Sequence, residues 1–297
     1  MQRSTYPVFD ITGLSVHTSS LGLLNADNFS NYLAGNPHLN VLHGHTFYHL
    51  LFFTKGSGSQ IIDFEKFEVK PGMIYFMKPG QVHQWFFEEE PDGYIINFSP
   101  TFFDSLFVNP AIINQFPFFD SSQPQQQVIQ LQPETQEKII AIFKQIVEEK
   151  QNSYAAKYTL LASLILQLFV TVARDIPAEE QIASVTNHTK NLLHSFQQLV
   201  EEHYQDLHLP KEYAEKLFIT PAHLNNICKD LTGMAAGAII RNRILLEAKR
   251  LLVNFNLSVA DIAARLSFSD NSYFVRFFRK YTGTTPEAFR KKYYTAG

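Results

Sequence analysis

Only one cysteine, Cys228, stands among 297 residues. No disulfide can form within the chain, and the composition suits a reducing compartment. Long apolar runs are missing as well. The longest, Leu160 to Ala173, is too short for a bilayer and is interrupted by Ser163, Gln167 and Thr171. The opening residues, MQRSTYPVFDITGLSV, lack the apolar stretch of a signal peptide. A cytoplasmic protein without a membrane partner is expected. Charge excess is also small: the formal net charge is −3, which by itself argues against a polyanionic partner.

The charge is unevenly placed. Residues 1–186 carry 10 Lys/Arg and 18 Asp/Glu, a balance of −8, whereas residues 187–297 carry 15 and 10, a balance of +5. Only the back half is suited to meet phosphates. Aromatic residues are plentiful, with 27 Phe, and apolar residues make up 45 % of the chain, enough for about two folded cores.

From Val8 to Phe119 the pattern is all-β. Short apolar runs at Leu50–Phe53, Met73–Phe76 and Tyr94–Phe98 read as strands, and Gln60–Val69 reads as a hairpin turning around Asp63. Turns fall at Lys55–Gly58, Lys70–Gly72 and Lys78–Gly80. Many short strands at this spacing predict a small barrel or jelly roll. The low-complexity run SSQPQQQ, Ser121 to Gln127, marks its expected end. Residues 133–176 read as two helices. The second has a very wide apolar face, Leu160, Leu161, Leu164, Ile165, Leu168, Phe169 and Val172. That face must pack on the barrel alone or also on a second subunit.

Two stretches near the carboxyl end are copies of each other. In the later one, Ser258 caps a short helix with Val259, Ile262, Ala263 and Leu266 on one stripe. A turn follows, and Asp270 opens a second helix with Phe274, Phe277, Phe278 and Tyr281 as its expected inner face. Its other face carries Asn271, Ser272, Arg276, Arg279 and Lys280. The earlier copy runs from Leu209 to Gly233. His223-Leu224 aligns with Tyr273-Phe274, Ile227 with Phe277, Lys229 with Arg279, and Thr232-Gly233 with Thr282-Gly283. A basic face on one helix is equally compatible with a solvated surface. The duplication decides for two helix-turn-helix units in tandem. Between them, Ala235 to Asn254 has a helical apolar stripe, Ile240, Ile244, Ala248, Leu251 and Leu252, and reads as a stiff spacer.

Residues 187–294 resemble the AraC/XylS family of transcription regulators. The resemblance rests on ADIAARLSFSDNSYFVRFFRKYTGTTPEAFR and on RNRILLEAKRLL. It implies two helix-turn-helix units joined by one long helix, with recognition helices in successive major grooves about 34 Å apart. Ala222, Asn225 and Asn226 of the first unit, and Asn271, Ser272, Val275 and Arg276 of the second, are the residues expected at base edges, with His223 also expected at the DNA. Asn suits adenine, Arg suits guanine, and Val can meet a thymine methyl. Lys229, Arg279 and Lys280 are expected at phosphates. Cys228 and the absence of arginine from the first unit's reading face depart from the family pattern.

Within the β region, His43-Gly44-His45, His49 and Pro79-Gly80-Gln81-Val82-His83 resemble the two metal-binding motifs of cupins, with His49 where a cupin has Glu. AraC-like regulators commonly carry a cupin-like barrel as sensor, usually without metal. His43, His45, His49, His83 and Trp85 are therefore expected at a small-molecule effector, and no metal or other cofactor is assigned. His43, His45 and His49 share strand parity, as do His83 and Trp85.

The expected architecture is a cupin-like domain over 1–176, with the barrel at about 8–120 and dimerisation helices at about 133–176. A linker over 177–187 and a DNA-binding domain over 188–297 complete it. The expected activity is effector-responsive transcription regulation, probing promoter DNA as a homodimer and activating through RNA polymerase, without enzymatic activity. Two alternatives stay open: a metal-dependent cupin enzyme with an accessory helical domain, and a DNA-binding protein whose barrel only dimerises.

Overall fold

The computed structural model describes residues 7–14, 23–104, 112–113, 116–119, 124–176, 187–254 and 256–294. The chain divides into two units, Pro7–Pro177 and the residues from Ala178 onward. Apart from Asn187, which begins a helix, the expected linker lies outside the described residues.

The first unit holds two five-stranded sheets. One runs in the order β1 (Val8–Phe9), β3 (His43–His45), β8 (Val82–Phe87), β5 (Gly58–Ile62) and β6 (Glu65–Val69). The other runs β10 (Val128–Gln130), β7 (Met73–Met77), β4 (Tyr48–Lys55), β9 (Asp92–Phe98) and β2 (Leu24–Asn28). The expected strands and hairpin are all present. The β5–β6 turn is made by Asp63 and Phe64, both at positive φ (48° and 74°), the geometry of a two-residue hairpin turn. The barrel was expected to end near residue 120. Instead β10, beyond the Gln-rich run, pairs with β7 through Val128↔Tyr75, so the sheet gains a strand. Val128-Ile129-Gln130, directly after the Gln-rich run, is too short to show a strand pattern.

The second sheet is buried on both faces, which is why its strands read as unbroken apolar runs. Leu51, Phe53, Tyr75, Met77 and Ile95 face a core shared with Phe29, Tyr32, Phe47 and Trp85. Leu50, Phe52, Ile74, Phe76, Ile96 and Phe98 face the opposite way, onto α2 (Pro133–Gln151) and α3 (Lys157–Ala173). Pro133 starts α2, and Ile139, Ile142, Phe143 and Ile146 are its buried face. Lys150, in its last turn, donates to Asn25 Oδ1 and Ala26 O at 3.0 Å, tying the helix to β2.

The wide face of α3 has an internal explanation. Leu161, Leu164, Ile165, Leu168, Phe169 and Val172 are all buried within the unit, against the sheet and α2. Leu160, counted in that face from its spacing, is instead 48 % exposed.

The second unit is all-α. It contains α4 (Asn187–His203), α5 (Pro210–Lys216), α6 (Pro221–Thr232), α7 (Ala236–Val253), α8 (Val259–Arg265), α9 (Asn271–Thr282) and α10 (Pro286–Tyr294), with α1 (Phe29–Gly35) belonging to the first unit. The spacer helix α7 contacts α4, α5 and α6 as well as α8 and α10. Ile239, Ile240, Ile244, Leu245, Ala248 and Leu252 are its buried residues on these contacts. Arg243 of α7 stacks over the Tyr204 ring at 3.7 Å and pairs with Glu201 at 2.9 Å and Glu247 at 3.1 Å. Of these partners Glu201 lies on α4 and Tyr204 just beyond it, so Arg243 joins α7 to that helix, while Glu247 is its neighbour on α7 itself. Arg290 of α10 donates to the carbonyls of Leu252 and Leu257, closing the far end of α7.

Candidate nucleic-acid interface and histidine cluster

The two helix-turn-helix units repeat in detail. Each second helix has 12 residues. Thr220 caps α6 by accepting from His223 N at 3.1 Å, and Asp270 caps α9 by accepting from Tyr273 N at 2.7 Å. Each ends at a left-handed glycine, Gly233 at φ 71° and Gly283 at φ 74°, a conformation that costs glycine nothing. Thr232 Oγ1 donates to Cys228 O at 2.7 Å, and Thr282 Oγ1 to Phe278 O at 2.8 Å. The turns match too: Phe218 and Ser267, one register apart from the helices, both adopt positive φ (56° and 50°).

The outward faces correspond position by position. On α6 the exposed residues are Pro221, Ala222, His223, Asn226, Lys229 and Asp230. On α9 they are Asn271, Ser272, Tyr273, Arg276, Arg279 and Lys280, with Tyr281 at the edge of the face. Leu224, Ile227 and Cys228 lie beneath the first face, and Phe274 and Phe278 beneath the second. Phe277 is only half-buried and Tyr281 is 40 % exposed, so the aromatic underside is narrower than its spacing suggested. Tyr281 instead lies under the guanidinium of Arg241 on α7, at 4.3 Å.

The charge of the two faces differs. The α9 face carries three cations, whereas on the α6 face Lys229 is offset by Asp230. No acidic side chain among the described residues forms an ion pair with Arg276 or Arg279. Both guanidiniums are available to an outside anion.

Asn225 and Val275 sit differently from their neighbours. Both are half-buried. The Asn225 side chain accepts from Ala236 N at 3.3 Å and so occupies the start of α7. Helical spacing put Asn225 on the reading face but gave no account of the helix beginning eleven residues on. Tyr273, 48 % exposed and equivalent to His223, was left out of the expected contacts. The alignment of the two copies contained that signal.

In the first unit the four histidines and Trp85 converge, all buried. They do so from three strands rather than from one strand face. The chain turns at Thr46-Phe47, so His43 and His45 stand on one sheet and His49 on the other. His43 is the cross-strand partner of His83, and Gln60 that of Trp85. Ring centroids lie 4.1 Å apart for His43–His83, 4.8 Å for His43–His45 and His45–His83, and 5.2 Å from His49 to His45 and to His83.

The hydrogen bonds fix much of the protonation. His43 Nδ1–H donates to Val41 O at 2.7 Å, leaving Nε2 as a lone pair. His45 Nε2 and His83 Nε2 are 2.7 Å apart and share one proton. Gln60 lies 3.3 Å from His83 Nδ1. His43 Nε2 and His45 Nδ1 have no hydrogen-bond partner. Each such buried polar atom costs about 1–3 kcal/mol. Burial pushes His43 down to about 4 and His49 to about 3, and, with the neighbouring imidazoles, holds His45 and His83 well below the ordinary histidine range. All four rings are neutral near pH 7. Ligand nitrogens of His43, His45 and His83 lie within 4.8 Å of one another.

No helix among the described residues is long and apolar enough to cross a membrane. Two family models match the chain: an AraC-like ligand binding domain over residues 35–170 and a helix-turn-helix domain over residues 213–292. The chain is 22 % identical to the HTH-type transcriptional activator RhaR of Mannheimia succiniciproducens, over 85 % of this chain and 87 % of that one. It is 23 % identical to the arabinose operon regulatory protein of Salmonella typhimurium, over 76 % and 77 %. A probable transcription factor PqrA of Proteus vulgaris is 42 % identical over 69 residues, 23 % of this chain and 57 % of PqrA. The ligand-binding model covers the unit that holds the histidines, and the helix-turn-helix model covers both repeated helices. This chain belongs to the AraC/XylS family of DNA-binding transcription regulators.

Proposed function

We propose that α6 and α9 enter successive major-groove segments of a promoter and that the second contributes most of the electrostatic attraction. The observation carrying this reading is the position-by-position match of their outward faces, one bearing three cations and the other none in excess. Arg276 reads a guanine edge, Asn226, Asn271 and Ser272 read hydrogen-bonding edges, and Ala222 and Val275 supply apolar contact. His223 and Tyr273 approach the groove wall at equivalent positions. Lys229, Arg279 and Lys280 hold phosphates. Asn225 acts indirectly, by holding α6 to α7.

In this reading the protein activates transcription, as the names of RhaR relatives say of those proteins, and contacts RNA polymerase. The first unit holds an effector at the histidine cluster. It also supplies the contact between two copies, through Leu160 and the half-buried Leu166 and Val170 on the outer side of α3. The domain limits are 1–176 and 188–297. Genome-wide mapping of DNA bound by the full chain tests the whole reading. Discrete promoter-proximal sites with a two-part motif support it; a uniform profile contradicts it.

A further inference from the structure

We propose that His43, His45 and His83 form a binding site for a late first-row divalent cation of the zinc or nickel class. The inference rests on the reading of the histidine cluster as the ligand-holding part of the regulator, and it names that ligand.

The first support is space. His43, His45 and His83 lie 4.1–4.8 Å apart by ring centroid, and His49 lies 5.2 Å from His45 and from His83. A ring-shaped organic guest has no room between them, whereas an ion requires only a small parting of two rings. The second is the contact between His45 Nε2 and His83 Nε2 at 2.7 Å. Two lone pairs cannot face each other at that distance; the pair must share either a proton or a cation. With metal–nitrogen bonds near 2.0–2.1 Å and tetrahedral angles, two ligand nitrogens stand about 3.3 Å apart, so loading parts the rings by about 0.6 Å.

The third support is the outer layer. A ligating histidine typically donates its other N–H to a carbonyl or amide, which fixes the tautomer. His43 already does so, through Nδ1–H to Val41 O, and presents a buried, unpartnered Nε2. His83 has Gln60 at its Nδ1. The Gln60 Oε1 has no partner. Turning that amide over lets it accept His83 Nδ1–H, freeing His83 Nε2 for a metal. Three protein nitrogens leave a fourth position open. His49, 5.2 Å by centroid from both His45 and His83, is the nearest further imidazole.

The donor set decides the metal class. The cluster contains neutral imidazoles and, among the described residues, no carboxylate or thiolate belongs to it. Calcium and magnesium, which require oxygen ligands, are excluded, and zinc, nickel and their neighbours are favoured.

The test uses untagged full-length protein stripped with a chelator, then titrated with Co2+ and back-titrated with Zn2+. The expected result is one equivalent of Co2+ with ligand-field absorption, displaced by Zn2+, and a rise in Tm on loading. His43→Ala and His83→Ala should each weaken binding at least 100-fold. Because cavity variants in a core can unfold, Gln60→Leu serves as a milder probe and should weaken binding about 10-fold or more while the circular dichroism spectrum is retained. No uptake by the wild-type chain at micromolar metal overturns the proposal, as does undiminished uptake by folded His43→Ala and His83→Ala. Selection of duplexes from a random-sequence pool by the same preparations reads the regulator function separately. Sequence selection without metal uptake removes the metal and leaves the DNA reading standing.

Discussion

Asn225 Oδ1 accepts a hydrogen bond from Ala236 N at 3.3 Å, joining recognition helix α6 to the first residue of α7. Its sequence neighbour Asn226, about 100° further round the same helix, is exposed. The two asparagines therefore separate structure from readout. Asn225→Ala should lower stability by about 1 kcal/mol, the usual value of a helix-start hydrogen bond, and weaken all DNA sequences alike. Asn226→Ala should leave Tm unchanged and alter base preference at one position. Thermal melts together with competition gel shifts check both. Equal effects of the two variants on preference would contradict the assignment.

The charge difference between the faces predicts unequal roles. Arg276→Ala should cost about 1–3 kcal/mol on the preferred sequence and relax specificity at one base pair. Lys280→Ala should weaken every sequence similarly and flatten the salt dependence by about one unit of slope. Asp230→Lys, which gives α6 the lysine α9 has at Lys280, should do the reverse and steepen it. Binding isotherms across a salt series distinguish these outcomes.

Phe218 occupies the left-handed region at φ 56° and is 96 % exposed. A bulky residue there carries about 1–2 kcal/mol of strain and gains no burial in return. Phe218→Asn should stabilise the chain by about 1 kcal/mol, read as a higher denaturant midpoint with unchanged slope. A loss of stability would mean that the ring makes a contact in the folded protein.

The histidine cluster makes the metal-free protein sensitive to acid. In the folded state His43 and His49 titrate near 4 and 3, because burial opposes the charged form, whereas unfolded histidines titrate near 6.5. As pH falls below about 6.5 the unfolded chain takes up protons first, so stability is lost from there downward. Each ring contributes up to about 1.4 kcal/mol per pH unit until its folded pKa is reached. Above about 7 these groups contribute no pH dependence. Urea melts from pH 7.5 to 4.5 check this. His49→Asn should shallow the decline if the variant folds.

Much of this was legible in the chain itself. The tandem helices were visible because duplication preserves Thr-Gly ends, apolar positions and caps at a nearly constant offset. The strands were visible as apolar runs between Gly and Pro turns. Side-chain destinations were harder. Spacing places Asn225 on a face, but only the packed α7 shows what takes its side chain. Parity placed His43, His45 and His49 on one strand face, and the turn at Thr46-Phe47 moved His49 to the opposite sheet, so the cluster forms across the core instead. The apolar excess of α3 had two explanations of equal standing, and the sheet beneath it accounts for most of that surface. Leu160 alone of the seven named residues stays outside.

The central claim is that two equivalent helices read DNA side by side. Hydroxyl-radical footprinting of the full chain on a mapped promoter site tests it most directly. The account predicts two protected patches on one face of the duplex, about 34 Å apart, with Arg276→Ala thinning one and Asn226→Ala thinning the other. A single patch, or two that ignore both substitutions, would contradict it.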